Sequence, residues 1–113
     1  MAKRNETAKD SIERGTGNVF ADLGYADAKE RQTKLRLALA VNQIIEQRKL
    51  TQAKAASALG LPQPKVSLLS RYKVEGFSVE RLMTFLTLLD QDVEISIKKT
   101  SSRSNGKITV IAA

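Results

Sequence analysis

Residues 50–69 read LTQAKAASALGLPQPKVSLL, with one glycine and two prolines set between two short apolar patterns. Such a stretch has few ways to fold other than as two short helices joined by a sharp turn. Thr51 suits the N-cap of a helix over Gln52 to Leu59. Gly60 suits the left-handed position that ends it. Pro62 or Pro64 suits the first turn of the next helix, where a missing amide proton is harmless, and that helix runs to about Tyr72. Ala55 and Ala56 are small enough for the two helices to cross closely, and a large side chain at Ala56 would push them apart. Leu59, Leu61, Val66 and Leu69 are the apolar positions that lock the corner. Gln63, Lys65, Ser67, Leu68 and Arg71 are left facing outward. A helix presented in this way fits a major groove about 12 Å wide.

The corner sits inside a longer helical pattern. Asp27-Ala-Lys-Glu30 reads as a capping box, with a long helix after it to about Lys49. Leu35, Ala38, Val41 and Ile45 form its apolar stripe, widened by Leu37, Ala40 and Ile44. Asn18 to Gly24, NVFADLG, is a short apolar patch suited to docking on the body, and residues 1–17 read as a flexible tail. Gly76 breaks the pattern after the third helix. Ser78 then caps a fourth helix, Val79 to Leu89, with Glu80 near its positive end. Beyond it the period changes to two. Val93, Ile95 and Ile97 alternate with polar residues, Asn105-Gly106 is a turn signal, and Ile108, Val110 and Ala112 alternate again. The pattern predicts a mainly α fold, a helix-turn-helix bundle of four to five helices with a C-terminal β-hairpin. Its divisions are 1–17 (tail), 18–90 (bundle) and 91–113 (hairpin). A lone hairpin is marginal in water, so its edges want a further strand from a second copy or another protein.

Charge is concentrated on the corner. Residues 48–74 hold Arg48, Lys49, Lys54, Lys65, Arg71 and Lys73 with no acid among them, out of a chain net charge of +7. That is either the footprint of a polyanion binder or a solvated face. Enzymatic readings find little support. The chain has no cysteine and no histidine, which removes the usual nucleophile–base pairs and soft metal sites. Asp90, Asp92 and Glu94 form the densest acidic set, readable as a hard-cation site or as solvated edge charges. Gly15-Thr-Gly17 is too short for a phosphate loop. No metal or cofactor is expected. The polar start and the lack of a long apolar run predict a cytoplasmic protein with no membrane contact. At 113 residues with 42% hydrophobic content, one modest core is available, and the domain gains from a partner chain.

The residues of the corner, within about 34–90, resemble the helix-turn-helix of the Cro/C1-type (XRE) regulators, a lambda-repressor-like fold. Three longer segments, GNVFADLGYADAKERQTK, LTQAKAASALGLPQPKVS and EGFSVERLMTFLTLLDQDVEISIK, resemble the HigA-like antitoxin branch of that family. The resemblance implies a homodimer that binds its own double-stranded operator DNA at the nucleoid and neutralises a RelE-like toxin that cuts messenger RNA. Three positions depart from the branch. Leu68 stands where an acid is common, Ser70 where leucine is usual, and Tyr72 where glycine often ends the recognition helix.

The residue chemistry supplies candidate roles at the DNA. Gln63 suits a bidentate contact to adenine, or is only a turn residue. Lys65 and Arg71 suit guanine or phosphate, and Ser67 suits either kind of contact. Leu68 either packs on a thymine methyl or belongs to a core or dimer surface. Gln52 suits a phosphate at a helix terminus. Lys54 and Lys73 add backbone charge, though Lys54 reads equally well as solvated. Two rival readings remain. In one, the helices are a scaffold and the N-terminal patch and hairpin grip a protein. In the other, the chain is a plain phage-type repressor without a toxin partner.

Overall fold

The computed structural model describes the backbone of residues 19–101 and 105–112. Four helices follow in order: α1 (Val19–Gln47), α2 (Gln52–Leu59), α3 (Gln63–Ser70) and α4 (Val79–Leu88). The chain divides into two units between Glu30 and Arg31, and the packing below concerns the second. In the first unit, α1 begins at Val19 and not beside Asp27, so Asp27 and Glu30 are exposed mid-helix residues and no capping box forms. The run of Ala, Lys, Glu and Arg after Gly24 favours propagation, and one glycine costs a helix only about 1 kcal/mol. The expected docking patch is therefore helical backbone from Val19 on, and its side chains lie outside the described residues. The expected flexible tail 1–17 lies outside them as well.

In the second unit, α2 packs against both α3 and α4. Ala55, Leu59, Leu61, Val66 and Leu69 are all buried in one cluster, as the corner's spacing predicts. Into the same cluster α1 sends Leu37, Ala38 and Val41, and α4 sends Leu82, Phe85 and Leu86. Each fully buried aliphatic or aromatic side chain contributes roughly 1.5–3 kcal/mol. Phe77, in the α3–α4 loop, meets Phe85 edge-on, with ring centres 5.8 Å apart at 79°. Two polar ties join the helices. Asn42 Nδ2 donates to the Leu69 carbonyl at 3.0 Å, joining α1 to the last turn of α3. Arg48 Nη2 donates to the Leu89 carbonyl at 2.7 Å, joining the ends of α1 and α4.

The helix starts follow side-chain chemistry. Thr51 accepts from the Lys54 amide and Ser78 from the Arg81 amide. All four helix ends use one device, in which two amides reach back to orphan carbonyls through a left-handed residue. For α2 that residue is Gly60 (φ 67°); its amide reaches Ser57 O and that of Leu61 reaches Ala56 O. The same pair of bonds closes α1 at Lys49 (φ 54°), α3 at Tyr72 (φ 61°) and α4 at Asp90 (φ 66°). Thus α3 ends at Ser70 with tyrosine in the glycine-type position. Packing around Leu50 and Tyr72 outweighs the roughly 1–2 kcal/mol that an L-residue pays in this conformation.

The C-terminal hairpin is not formed. Residues 91–101 and 105–112 contain no strand. Ile95, Ile97, Ile108 and Ile111 are at least 73% exposed, while Val93 and Val110 are partly buried against the core. The alternation is present, but within one chain no layer of structure covers the apolar face of such a hairpin, and the burial left does not offset the entropy of ordering it.

Three stability predictions follow, two from the closures and one from an ion pair. Gly60→Ala should cost about 1 kcal/mol through backbone strain alone, since nothing lies within 4 Å of the added carbon. Lys49→Gly, at an exposed site, should gain about 0.5–1 kcal/mol. Denaturant midpoints check both, and a stabilised Gly60→Ala would contradict the left-handed closure. Arg31 Nε also donates to Glu75 Oε2 at 3.2 Å. A hydrogen bond at Glu75's own backbone, then the Arg31 guanidinium, hold its carboxyl below the ordinary value. A lowered folded-state pKa gives stability that is present above the unfolded pKa of about 4.3 and lost as pH falls through the folded one. Glu75→Gln should therefore be slightly less stable than the parent at neutral pH and equal to it in acid. A constant difference across that range would contradict the assignment.

Candidate nucleic-acid interface

Val66 (2% exposed) and Leu69 (0%) anchor the inner side of α3. At about 100° per residue, the opposite side carries Pro64, Ser67, Leu68 and Arg71. Leu68 is exposed whereas its neighbour Leu69 is fully buried, so Leu68 belongs to the outer surface and not to the core. Arg71 lies back along the helix, its Nε donating to the Ser67 carbonyl at 3.3 Å. The Ser70 hydroxyl donates to the same carbonyl at 2.8 Å. Ser67, Leu68 and Arg71 thus form one compact outward group. Gln63 is exposed at the start of α3, on one flank of that group.

Lys65 is exposed on the other flank. Its ammonium sits over the Phe77 ring, 5.8 Å from the centre, and close to Gly76. Cation–π attraction of this kind is worth about 0.5–1 kcal/mol at an exposed site, weak enough for a phosphate to displace. Gln52 and Lys54 are exposed in the first turn of α2. Thr51 caps only one of the orphan amides there, leaving a positive terminus beside Gln52. Lys73 is exposed just past the α3 closure.

The basic block is smaller at this surface than its sequence count implies. Arg48 is engaged at the far ends of α1 and α4, with Nη1 3.4 Å from Asp90 Oδ2 in addition to the Leu89 bond. Lys49 occupies the left-handed turn after α1. Lys54, Lys65, Arg71 and Lys73 remain on or beside the α2–α3 corner. The first acid after the block, Glu75, is engaged by Arg31. Two exposed α3 residues escape sequence reasoning, Pro64 and Ser70. Pro64 reads only as a helix-start residue, and its outward placement is visible only by counting turns from Val66. Among the described residues no group of three or more metal-ligating side chains is placed to hold an ion, so Asp90, Asp92 and Glu94 do not form the cation site their spacing allows. No helix among the described residues is long and apolar enough to cross a membrane.

Comparison with known proteins agrees with this geometry. A family model described as a helix-turn-helix domain matches residues 19–98. A solved structure whose name assigns it to the XRE family of transcriptional regulators is 62% identical, with a TM-score of 0.74, over 77% of this chain and 99% of that one. None of the curated proteins matches the chain. With four helices, a buried α2–α3 corner and this degree of identity, the chain belongs to the XRE family of helix-turn-helix DNA-binding regulators.

Proposed function

We propose that the chain is a homodimeric repressor that inserts α3 into the major groove of its own operator and serves as the antitoxin to a RelE-like toxin. The observation that carries the DNA-binding reading is the outward group Ser67, Leu68 and Arg71, held rigid by buried Val66 and Leu69 on the same helix. Arg71 contacts guanine or phosphate, Ser67 a base edge or phosphate, and Leu68 a thymine methyl. Gln63 reaches adenine from the flank, and Lys65 leaves Phe77 for guanine or phosphate. Gln52 binds a phosphate at the α2 terminus, and Lys54 and Lys73 add charge along the backbone. A dimer places two such helices about 34 Å apart on one face of the duplex. The antitoxin role is supported by the likeness of the three segments around residues 17–34, 50–67 and 75–98 to HigA-like antitoxins. Such a protein acts in the cytoplasm, at the nucleoid.

Operator affinity should fall steeply with salt. About 6–10 phosphate contacts give a log–log slope of about −5 to −9, measurable by fluorescence anisotropy on a selected duplex. A slope near −1 would contradict groove binding. Arg71→Ala should weaken operator binding by about 1–3 kcal/mol with helical circular dichroism unchanged. Arg48→Ala should do the reverse, destabilising the fold by about 1–2 kcal/mol with little change in the salt slope. An unfolded Arg71→Ala would contradict its outward placement. Recovery of the chain from its own cells tests the partner. Co-purification of one promoter fragment and a small ribonuclease-like protein supports the antitoxin role, and recovery of the DNA alone identifies a plain repressor.

A further inference from the structure

Residues 92–98, DVEISIK, leave the end of α4 with a strand-like alternation and no strand partner among the described residues. Ile95 and Ile97 are 73% and 93% exposed, while Val93, on the same side of the alternation, is partly buried against the core. The apolar face that Val93 begins is therefore left uncovered from Ile95 onward.

We infer that this segment pairs antiparallel with the same segment of a second copy, across a two-fold axis at Ile95. This rests on the dimeric reading above and gives it an interface. The argument is self-complementarity. Residues directly opposite in an antiparallel pair share a face and interact as pairs. An axis at Ile95 sets Ile95 against itself and Val93 against Ile97 of the second copy, twice. The apolar face is then apolar throughout. On the other face Asp92 meets Lys98, also twice, and Glu94 meets Ser96. Moving the axis by half a residue, to between Ile95 and Ser96, sets isoleucines against polar residues. Moving it to Glu94 sets that carboxylate against its own copy, and moving it to Ile97 sets Ile95 against Lys99. An axis at Ser96 keeps the Ile95–Ile97 pairs but sets Val93 against Lys99. Only the Ile95 register matches every apolar residue and pairs Asp92 with Lys98. It also carries Ile97 of each copy to Val93 of the other, so each tail extends the core of its partner. A strongly basic partner would suit Asp92 and Glu94 but would meet like charge at Lys98 and Lys99. Contacts that are reciprocal in this way are those of a closed two-fold dimer.

The chain has no cysteine, so single cysteines report the register without interference. In the full chain, Ile95→Cys sits opposite its own copy, within the 4.4–6.8 Å Cα separation that a disulfide needs. Two copies of Ile97→Cys lie four residues apart along the strands, about 13 Å, too far to bridge. Under mild oxidation the Ile95→Cys variant should run mostly as a covalent dimer, Ile97→Cys only in trace, and Val93→Cys/Ile97→Cys as a dimer. Sedimentation equilibrium of the unsubstituted chain is run alongside. A dimeric parent whose Ile95→Cys variant does not cross-link would overturn this interface and leave the dimeric reading standing. A monomeric parent would overturn both. Equal cross-linking at Ile95 and Ile97 would mean that the tails collide without register, and would also overturn the inference.

Discussion

The structure depends on the closure at Gly60. Its left-handed backbone lets the Leu61 amide reach Ala56 O, which turns the chain and drops Leu61 into the core beside Leu59. From there α3 has one way to lie. Val66 and Leu69 are drawn inward against Ala55, and the rest of α3 is left on the surface. The Asn42 bond to the Leu69 carbonyl then fixes the far end of the helix to α1. The outer surface of α3 is rigid because its reverse side is core, and the outward residues carry little of the fold.

The other helix ends show that this closure needs no glycine. Lys49, Tyr72 and Asp90 adopt the same left-handed backbone at a cost of roughly 1–2 kcal/mol each. What offsets the strain is the two recovered hydrogen bonds per end and the burial that follows, as at Leu50 and Val74. Tyr72 thus closes α3 from the position that Gly60 holds after α2.

Wherever local chemistry decided the outcome, the sequence was legible. The bounds of α2, the Thr51 and Ser78 caps, the turn at Gly60 and the burial of Val66 and Leu69 can all be read from propensity, capping and spacing. Distant contacts decided the rest. Arg48 counts as part of a basic block until the fold brings the end of α4 beside it. Lys65 turns aside because Phe77 lies within reach, a contact that no local pattern announces. The start of α1 is not legible at Asp27 because a capping-like signal does not stop a helix that propagates past it, and the strong helix formers after Gly24 favour that propagation. The C-terminal alternation misleads because period two marks residues able to form a strand, while a strand also needs a partner edge, and none forms among the described residues.

Taken together, a small core holds one short helix outward, a reduced set of cations surrounds it, and an apolar tail remains to be covered. The most direct test is backbone amide NMR of the chain titrated with a duplex selected for binding. The account predicts that the largest shifts fall on Gln63 to Arg71 and on Gln52 at the start of α2, with α4 and the core little changed. Shifts confined to the tail beyond Gln91, with α3 unperturbed, would contradict it.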